Sequence, residues 1–304
     1  MIEYEESYFE GEEQEGFFVE SMMKRAWAAQ IEVLKVLEEI CIKHNLRYFA
    51  ERGTLLGAVR HQGYIPWDDD LDISMLREDY EKFLVIAKKE LPKEFALLNM
   101  YIEPGWDHPF SRITNSRRIS YGADRLEMFH GCPYAVGVDI FPLDYLSRNQ
   151  EEEELRQDLL KIVANARLLL KEKAEEVEDV EVLLCQVEEL CRIKIDRKKS
   201  INQQLLILID RLSQLYGPEE SDQVGRIHHV AMYKHGIREK CWYDKMTWVP
   251  FETTEISVPS EMHECVKRIF GEEYMTPIIA AHHDYPFYAK QERFYQERLK
   301  AQQK

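Results

Sequence analysis

The chain has 304 residues, of which 45% are apolar, so it can bury a sizeable core as one large domain or as one domain with an appendage. Its formal net charge of −16 argues against a nucleic-acid backbone as partner, which needs a basic face, but leaves a nucleotide open. No apolar run approaches the length of a membrane span, and the acidic N-terminus has no segment resembling a signal peptide, so we expect a cytoplasmic protein.

The first elements follow from the charge pattern and hydrophobic spacing. We expect residues 1–20 to form an acidic arm, disordered or loosely docked. Apolar residues then recur at helical spacing and predict an amphipathic helix from Met22 to His44. Next come a short strand at 48–50, a short helix from Leu55 to His61, and a strand that starts at Asp70. A helix over 77–90 and strands at 95–102, 110–114, 118–121 and 134–141 complete this part of the chain.

The second half begins with a long stretch without Gly or Pro. Residues 145–216 predict two or three long helices, arranged as a hairpin or small bundle. Short strands follow at 246–251 and 256–258, and a helix from Pro259 to Phe270 ends at Gly271, as a C-cap glycine would. A charged helix is predicted from Lys290 onward.

Residues 68–72, with the sequence DDDLD, carry the strongest chemical signal. On a strand, Asp70 and Asp72 leave the same face and can bind one hard cation, and Asp68 can join them if the strand extends that far back. Adjacent carboxylates repel unless a cation compensates them, which favours Mg²⁺, with Mn²⁺ as the alternative. An EF-hand is excluded, because its sixth and twelfth positions require Gly and Glu, and here they hold Ile73 and Asp79. The other alternative is a solvated acidic surface, against which the flanking apolar residues argue.

Two features before the aspartates predict a phosphate site. Gly53 and Thr54 follow the short strand and open a helix, where a close backbone approach and free N–H groups suit a phosphate. Arg60 lies on the same helix and can neutralise phosphate with two prongs. The alternative for Arg60 is a surface ion pair with Asp68 or Asp69.

Asp139 lies among apolar residues in a strand-like stretch. A charge buried there is costly unless it is paired or metal-bound. The alternative is that Asp139 or Asp144 caps the turn at Pro142, which is the reading we favour for Asp144.

The cysteines give no metal signal. All six lack a C-x-x-C partner or a Cys/His spacing typical of zinc, which favours reduced structural thiols. His130 with Cys132, and the pair His282-His283, are weak ligand candidates.

The order strand, Gly-Thr, short helix with an arginine, loop and Asp-x-Asp strand is the layout of the nucleotidyltransferase superfamily. More narrowly, the stretch GTLLGAVRHQGYIPWDDDLDI resembles the LicD family of phosphocholine transferases, to which fukutin-related ribitol-phosphate transferases are related. The resemblance is dense over about 48–80. It returns at 139–144 and, more weakly, at 270–277.

This resemblance implies an α+β fold with a nucleotidyltransferase-like mixed β-sheet flanked by helices, to which the helical pattern of 145–216 adds an α-helical insertion. From the pattern of the chain we expect an acidic arm at 1–20, a catalytic core at 21–144, the insertion at 145–216 and a C-terminal α/β part at 217–304. It also implies phosphocholine transfer from CDP-choline, or of a similar phospho-alcohol, onto a sugar hydroxyl of a cell-surface glycan such as lipopolysaccharide or a teichoic acid precursor. A lipid-linked acceptor would involve peripheral membrane association without a span.

The implied roles fall on residues already singled out. Asp70 and Asp72, with Asp68, would hold the metal, and Asp139 would complete that site, hold a second ion or take the acceptor proton. Arg112 would be a second cation for the donor. An aromatic cage would suit a quaternary ammonium group; its candidates are Tyr64, Trp67, Trp106, Tyr121, Trp242 and Trp248.

Two other function classes share these residues. One is transfer of NMP to a small molecule, a protein or a nucleic acid, which would release pyrophosphate rather than CMP. The other is a non-catalytic relative that binds a divalent cation, against which the joint presence of Gly53, Thr54, Arg60 and the aspartates argues.

Overall fold

The computed structural model describes residues 2–172, 177–279 and 285–302. Its contacts divide the chain into two compact units. The first unit comprises Met1–Leu97, Arg112–Ile140 and Lys245–Lys304, and the second comprises Leu98–Ser111 and Phe141–Asp244. The second unit therefore encloses the predicted helical insertion and extends beyond it, while the predicted domain boundaries themselves remain a prediction.

Helices make up much of both units. In chain order they are α1 (Ser21–Lys43), α2 (Arg52–Arg60), α3 (Arg77–Glu90), α4 (Ala123–Met128), α5 (Gln150–Glu172), α6 (Val177–Cys191), α7 (Ile201–Ser213), α8 (Ile227–Tyr233), α9 (Met262–Phe270) and α10 (Phe287–Gln302). Short 3₁₀ helices occupy Glu6–Phe9, Pro218–Glu220 and Lys240–Tyr243. None of these described helices has an apolar stretch long enough to cross a membrane.

The strands form one mixed sheet and two hairpins. They are β1 (Glu12–Gln14), β2 (Phe17–Val19), β3 (Phe49–Ala50), β4 (Asp72–Leu76), β5 (Ala96–Leu98), β6 (Ser111–Thr114), β7 (Gly137–Tyr145), β8 (Gln223–Gly225), β9 (Arg238–Glu239), β10 (Met246–Phe251) and β11 (Thr254–Pro259). The sheet has the order β3-β4-β7-β6-β5, with β8 antiparallel to the end of β7 and to β9. A mixed sheet flanked by helices is the predicted fold class, which is thereby confirmed.

Helix α1 supplies the long apolar stripe of the first unit. Its predicted bounds are confirmed to within one residue, and Trp27, Ile31, Leu34 and Leu37 are all buried. Burial of such large side chains contributes about 1.5–3 kcal/mol each before the entropy of folding is counted. The helix therefore forms because one face is apolar at a period of 3.6 residues.

The segment that places the site is strand β3, helix α2 and strand β4. Strands β3 and β4 are antiparallel, with Phe49 opposite Ser74. Helix α2 begins at Arg52, three residues before the predicted start. Strand β4 begins at Asp72, so the prediction that it starts at Asp70 is wrong by two residues and Asp70 lies in the preceding loop.

The prediction of helices in residues 145–216 is confirmed by α5, α6 and α7. Their apolar faces form a buried cluster that includes Leu160 and Val163 of α5, Leu184 of α6 and Leu205 of α7. The apolar spacing of these helices thus builds a core for the second unit.

The C-terminal elements follow the prediction with small shifts. Strand β10 has the predicted ends, and β11 pairs with it as an antiparallel hairpin. Pro259 ends β11, and α9 starts at Met262 rather than at Pro259. Gly271 caps α9 with φ of 88°, a left-handed conformation that glycine adopts without a steric penalty.

Three local predictions are wrong. The N-terminal arm is ordered: β1 and β2 pair as a hairpin, and Val19 is fully buried. Residues 118–121 form no strand. In this loop the N–H of Ser120 donates to the carbonyl of Pro133, and Arg125 donates to the nearby carbonyls of Asn115 and Tyr134. Strand β5 ends at Leu98 and not at the predicted residue 102. The side-chain oxygen of Asn99 accepts hydrogen bonds from the N–H groups of Tyr101 and Ile102 and thereby turns the chain.

Candidate active site

A cavity of about 650 Å³ lies within the first unit. The described residues that line it combine carboxylates, arginines and aromatic rings. They are Arg52, Gly53, Leu56, Arg60, Ile65, Trp67, Asp68, Asp69, Asp70, Asp72, Phe270, Glu273, Tyr274, Thr276, Ile278 and Tyr285.

Asp72 is positioned through its backbone by α2. The hydroxyl of Thr54 accepts a hydrogen bond from the Asp72 N–H over 2.8 Å, and Thr54 is itself buried. Thr54 is not among the described lining residues of the cavity, so its visible role is to hold β4 against α2. The predicted contact between Thr54 and a phosphate remains a prediction.

Asp68 packs directly against the N-terminal turn of α2. A Cβ atom on Gly53 would lie 2.3 Å from Oδ2 of Asp68, so glycine at this position leaves the carboxylate its place against the helix. The Asp68 carbonyl accepts a hydrogen bond from Nε1 of Trp27 over 3.1 Å, which fixes the loop to α1. Burial, together with the negative charges of Asp70 and Asp69, raises the pKa of Asp68 well above its ordinary value.

Asp69 also lines the cavity, although alternation along a strand predicted the opposite face. The loop before β4 does not alternate as a strand does, which explains the difference. Oδ2 of Asp69 accepts the N–H of Phe287 over 2.7 Å at the start of α10. Asp69 is therefore tied to a helix terminus, where a negative charge is favourable.

Asp139 lies beside these aspartates on the neighbouring strand. Its N–H donates to the carbonyl of Leu71 over 2.9 Å, between Asp70 and Asp72 in sequence. The guanidinium of Arg112 donates through Nε to Oδ1 of Asp139 and through Nη2 to Oδ2, the latter over 2.8 Å. Both predicted residues are thus brought to the aspartates, and they are paired with each other.

The neighbouring carboxylates keep Arg112 positively charged. Burial alone would lower the pKa of Arg112, but the charges of Asp139, Asp72 and Asp70 and the hydrogen bonds to Asp139 outweigh it and raise the pKa. The guanidinium therefore stays charged at the edge of the aspartate cluster.

Two arginines line the cavity from α2. Arg60 donates through Nη1 to the carbonyl of Tyr274 over 2.8 Å and makes no ion pair with Asp68 or Asp69 in the described part of the chain. Burial lowers the pKa of Arg60. Arg52 starts the helix with φ of 46°, an uncommon conformation for a residue with a side chain.

Of the predicted aromatic candidates, Trp67 is the one that lines the cavity among the described residues. It is 4% exposed and meets the ring of Phe17 edge-on, and Phe17 in turn contacts Tyr285. Tyr64 is buried against Trp27 with stacked rings. Trp106, Tyr121, Trp242 and Trp248 are not among the described lining residues.

The carboxylates suit a hard cation by their chemistry. Mg²⁺ is commonly held by one or two carboxylates and completed by substrate phosphates and water. Asp68, Asp70 and Asp72 supply such oxygens on one cavity wall, and a cation would offset the repulsion that raises the pKa of Asp68. The described side chains contain no preformed group of three or more His, Cys, Asp or Glu arranged around an ion. The carboxylate oxygens are nevertheless of the kind that Mg²⁺ prefers.

The weak metal candidates elsewhere have other partners. Nε2 of His130 contacts Glu32 over 2.9 Å, and burial raises the pKa of the Cys132 thiol to about 11. His282-His283 lies outside the described residues. All six cysteines are free, as predicted.

Residues 45–150 match the sequence model of the family described as LicD/FKTN/FKRP, nucleotidyltransferase domain. This part of the chain, about a third of its length, is similar to the LicD family. The matched range contains α2, the aspartate loop, β4 and the strand that carries Asp139.

Curated relatives of this chain match over short segments. The lipopolysaccharide cholinephosphotransferase LicD of Haemophilus influenzae is 35% identical over 65 residues, which cover 21% of this chain and 24% of that protein. An uncharacterized protein of Rickettsia prowazekii is 56% identical over 48 residues, covering 16% and 18%. Another of Rickettsia typhi is 56% identical over 48 residues, covering 16% of each protein. The chain thus matches about a quarter or less of the length of these relatives.

Among the lining residues that sequence reasoning missed are Arg52, Tyr274 and Tyr285. Arg52 precedes Gly53, and its charge next to a predicted phosphate site was the available signal. Tyr274 lies in the stretch 270–277, whose weak resemblance was noted but not converted into a site. Tyr285 carried no local signal, because only the tertiary fold brings it to Trp67 through Phe17.

Proposed function

We propose that this protein is a Mg²⁺-dependent transferase that moves phosphocholine, or a similar phospho-alcohol, from a CDP-activated donor onto a sugar hydroxyl of a cell-surface glycan or teichoic acid precursor. The observation that carries the proposal is one cavity in which the carboxylates of Asp68, Asp70 and Asp72 meet the N-terminus of α2 and two arginines. Mn²⁺ is the alternative cation.

Phosphoryl transfer needs charge neutralisation and alignment more than covalent help from the protein. When bound at Asp70 and Asp72, with Asp68 beside them, the divalent cation would neutralise and polarise the donor diphosphate. Arg60 lines the cavity, where the carbonyl of Tyr274 accepts a hydrogen bond from its guanidinium, and it would bind the diphosphate through two N–H groups. Arg52, at the first turn of α2, adds a second positive charge on the same wall.

The aromatic and aliphatic part of the cavity supports the alcohol side of the donor. Trp67, Tyr274 and Tyr285 line the cavity together with Phe270 and Ile278. Aromatic faces attract a quaternary ammonium through their quadrupole, which suits choline. The choice of choline, and of a glycan as acceptor, rests on the LicD relative of Haemophilus influenzae and not on these contacts.

The test identifies which part of the nucleotide leaves. The protein is incubated with choline-labelled CDP-choline, Mg²⁺ and an extract of lipid-linked glycan precursors, and separately with CTP. We expect release of CMP and transfer of label to the glycan, both abolished by EDTA. CDP-ribitol and CDP-glycerol run in parallel identify the alcohol.

Matched variants link the reaction to the cavity. Asp72→Asn should abolish the transfer, whereas Asp158→Asn, at an exposed carboxylate paired with Lys161, should behave as wild type. Pyrophosphate released from CTP would instead support NMP transfer. Cation binding without turnover of any donor would support a non-catalytic relative.

A further inference from the structure

The hairpin of β1 and β2 has a tight tip. Gln14 lies opposite Phe17 in the register of the two strands, so Glu15 and Gly16 form a two-residue turn. Both have a positive φ, 51° and 77°, as a type I′ turn requires. Such a turn fixes the register of the strands and therefore the place of Glu15 at the tip.

Phe17 holds this hairpin beside the cavity. Its ring meets Trp67 with a centroid distance of 6.1 Å and Tyr285 with a centroid distance of 5.3 Å, edge-on in both cases. Trp67 and Tyr285 both line the cavity. The hairpin is therefore packed against two residues of the candidate site, although none of its own residues is among the described lining residues.

His61 joins the tip of the hairpin to Arg60. Nε2 of His61 lies 3.1 Å from Oε2 of Glu15, and Nε of Arg60 donates to Nδ1 of His61 over 3.4 Å. An ionised carboxylate only accepts hydrogen bonds, so Nε2 carries the ring proton and Nδ1 keeps the lone pair that accepts from Arg60. The His61 side chain is 11% exposed, and the ring of Trp67 meets it edge-on.

A neutral ring is what this arrangement requires, because a doubly protonated histidine has no acceptor. Burial lowers the pKa of His61 and the charge of Arg60 adds to the lowering, while the hydrogen bond with Glu15 opposes it. The surroundings of His61 thus favour the protonation state that can accept from Arg60.

The protein occupies two of the three guanidinium nitrogens of Arg60. Nε donates to His61, and Nη1 donates to the carbonyl of Tyr274 over 2.8 Å. Nη2 donates to no residue within 2–279 or 285–302, and Arg60 lines the cavity. Nη2 carries two N–H groups, which is enough to bind an anion with two hydrogen bonds.

Resting on the proposed function, we propose that Glu15 and His61 are positioning residues for Arg60. Glu15 holds the ring of His61, and Nδ1 of that ring holds Nε of Arg60. With Nη1 held by the carbonyl of Tyr274, the guanidinium presents Nη2 to the diphosphate of the donor. The N-terminal hairpin is then part of the donor site through a contact that it makes outside the cavity.

Nuclear magnetic resonance of the ¹⁵N-labelled protein tests the two hydrogen bonds without any donor. At about pH 8, the His61 ring should carry its proton on Nε2 and not on Nδ1. The Arg60 Nε–H signal should shift in Glu15→Ala and in His61→Ala. It should not shift in Glu13→Ala, which removes an exposed carboxylate of the same hairpin. A proton on Nδ1 of His61, or an Arg60 signal that neither variant moves, would overturn the assignment.

Kinetics with CDP-choline separate positioning from a structural role. Glu15→Ala and His61→Ala should each raise the donor KM about tenfold and leave kcat within about threefold, because a weaker phosphate contact affects bound substrate and transition state alike. The double variant should be no worse than either single variant, since both act through Arg60.

Conservative variants should restore the contact. Glu15→Gln keeps an oxygen that can accept from Nε2, and His61→Asn places an amide oxygen near the position of Nδ1. Both should have a donor KM within about threefold of wild type, which corresponds to less than about 0.7 kcal/mol. Additive losses in the double alanine variant, no rescue, or losses that follow the melting temperature would contradict the proposal.

His44→Ala is the matched control for the histidine, because Nε2 of His44 contacts Glu90 over 3.0 Å at an exposed position. It should leave the donor KM unchanged. If CDP-choline is not a substrate, the proposed function fails, and the same variants are titrated with pyrophosphate and Mg²⁺. About tenfold weaker pyrophosphate binding in Glu15→Ala and His61→Ala would still support the positioning of Arg60, whereas equal binding in all variants, or none in wild type, would overturn it.

Discussion

The hydroxyl of Thr54 accepts a 2.8 Å hydrogen bond from the N–H of Asp72 and so joins the first turn of α2 to the first residue of β4. Thr54 is 4% exposed, so water cannot easily replace this acceptor. We expect Thr54→Val, which has nearly the same shape, to lower the free energy of unfolding by about 1–3 kcal/mol. Urea unfolding measures this loss. Thr54→Ser keeps the hydroxyl and should lose much less; equal losses in both variants would show that the methyl group, and not the hydrogen bond, matters.

Gly53→Ala tests the close approach of Asp68 to α2. Alanine favours the helix by about 1 kcal/mol relative to glycine, but its Cβ would displace the Asp68 carboxylate. We therefore expect near-normal stability with donor kcat/KM reduced about tenfold, which equals a loss of 1.4 kcal/mol in binding the transition state.

Gly57→Ala is the contrasting control, because its Cβ would meet the backbone carbonyl of Gly63 at 2.4 Å. Backbone cannot rotate away as a carboxylate can, so Gly57→Ala should lose stability first. An unchanged donor kcat/KM in Gly53→Ala would show that the position of the Asp68 carboxylate does not matter for donor use.

The sequence predicted an element well where residues within or next to that element determine its ends. Helix α3 has the predicted ends, because its apolar spacing and the proline two residues after Glu90 are both visible in sequence. Residues 118–121 have a strand-like composition but form no strand, and the contacts of Arg125 with the nearby carbonyls of Asn115 and Tyr134 are not visible in the local sequence.

Part of the site was predictable because its residues are close together in sequence. Gly53, Arg60, Trp67 and the aspartates lie within one short stretch and line one cavity. The wall formed by residues 270–278 and by Tyr285 comes from a distant part of the chain. The pairing of Arg112 with Asp139 was also hidden, because each charge was weighed separately.

Glu252 gives a prediction for pH dependence. Burial raises the pKa of Glu252 above its ordinary value, although hydrogen bonds from the Tyr64 N–H and the Tyr8 hydroxyl oppose the shift. A carboxyl whose pKa is raised on folding favours the folded state below its unfolded pKa, and that contribution is lost as pH rises through the folded value.

Glu252→Gln should therefore gain stability relative to wild type as pH rises from about 4 to about 8, measured as the difference in free energy of unfolding. Glutamine can still accept from Tyr64, so the fold should persist. A stability difference that does not change with pH would show that Glu252 titrates normally in the folded protein.

Arg60→Lys tests donor recognition from α2. Lysine keeps the charge but cannot reproduce the two-pronged contact with phosphate, so donor kcat/KM should fall by about 1–3 kcal/mol in transition-state binding. The melting temperature should change little, because lysine can still donate to the carbonyl of Tyr274. Equal falls in activity and stability would make Arg60 a structural tie between α2 and the segment after α9.

The proposed function requires that Asp70 and Asp72 bind a cation that recruits the diphosphate of a CDP-alcohol. Calorimetric titration of CDP-choline into wild type, Asp72→Asn and Asp158→Asn, each with Mg²⁺ and with EDTA, tests this requirement most directly. We expect Mg²⁺-dependent binding in wild type and Asp158→Asn, and a Kd at least about tenfold weaker in Asp72→Asn at unchanged melting temperature. Binding of equal strength in EDTA, or in Asp72→Asn, would contradict it.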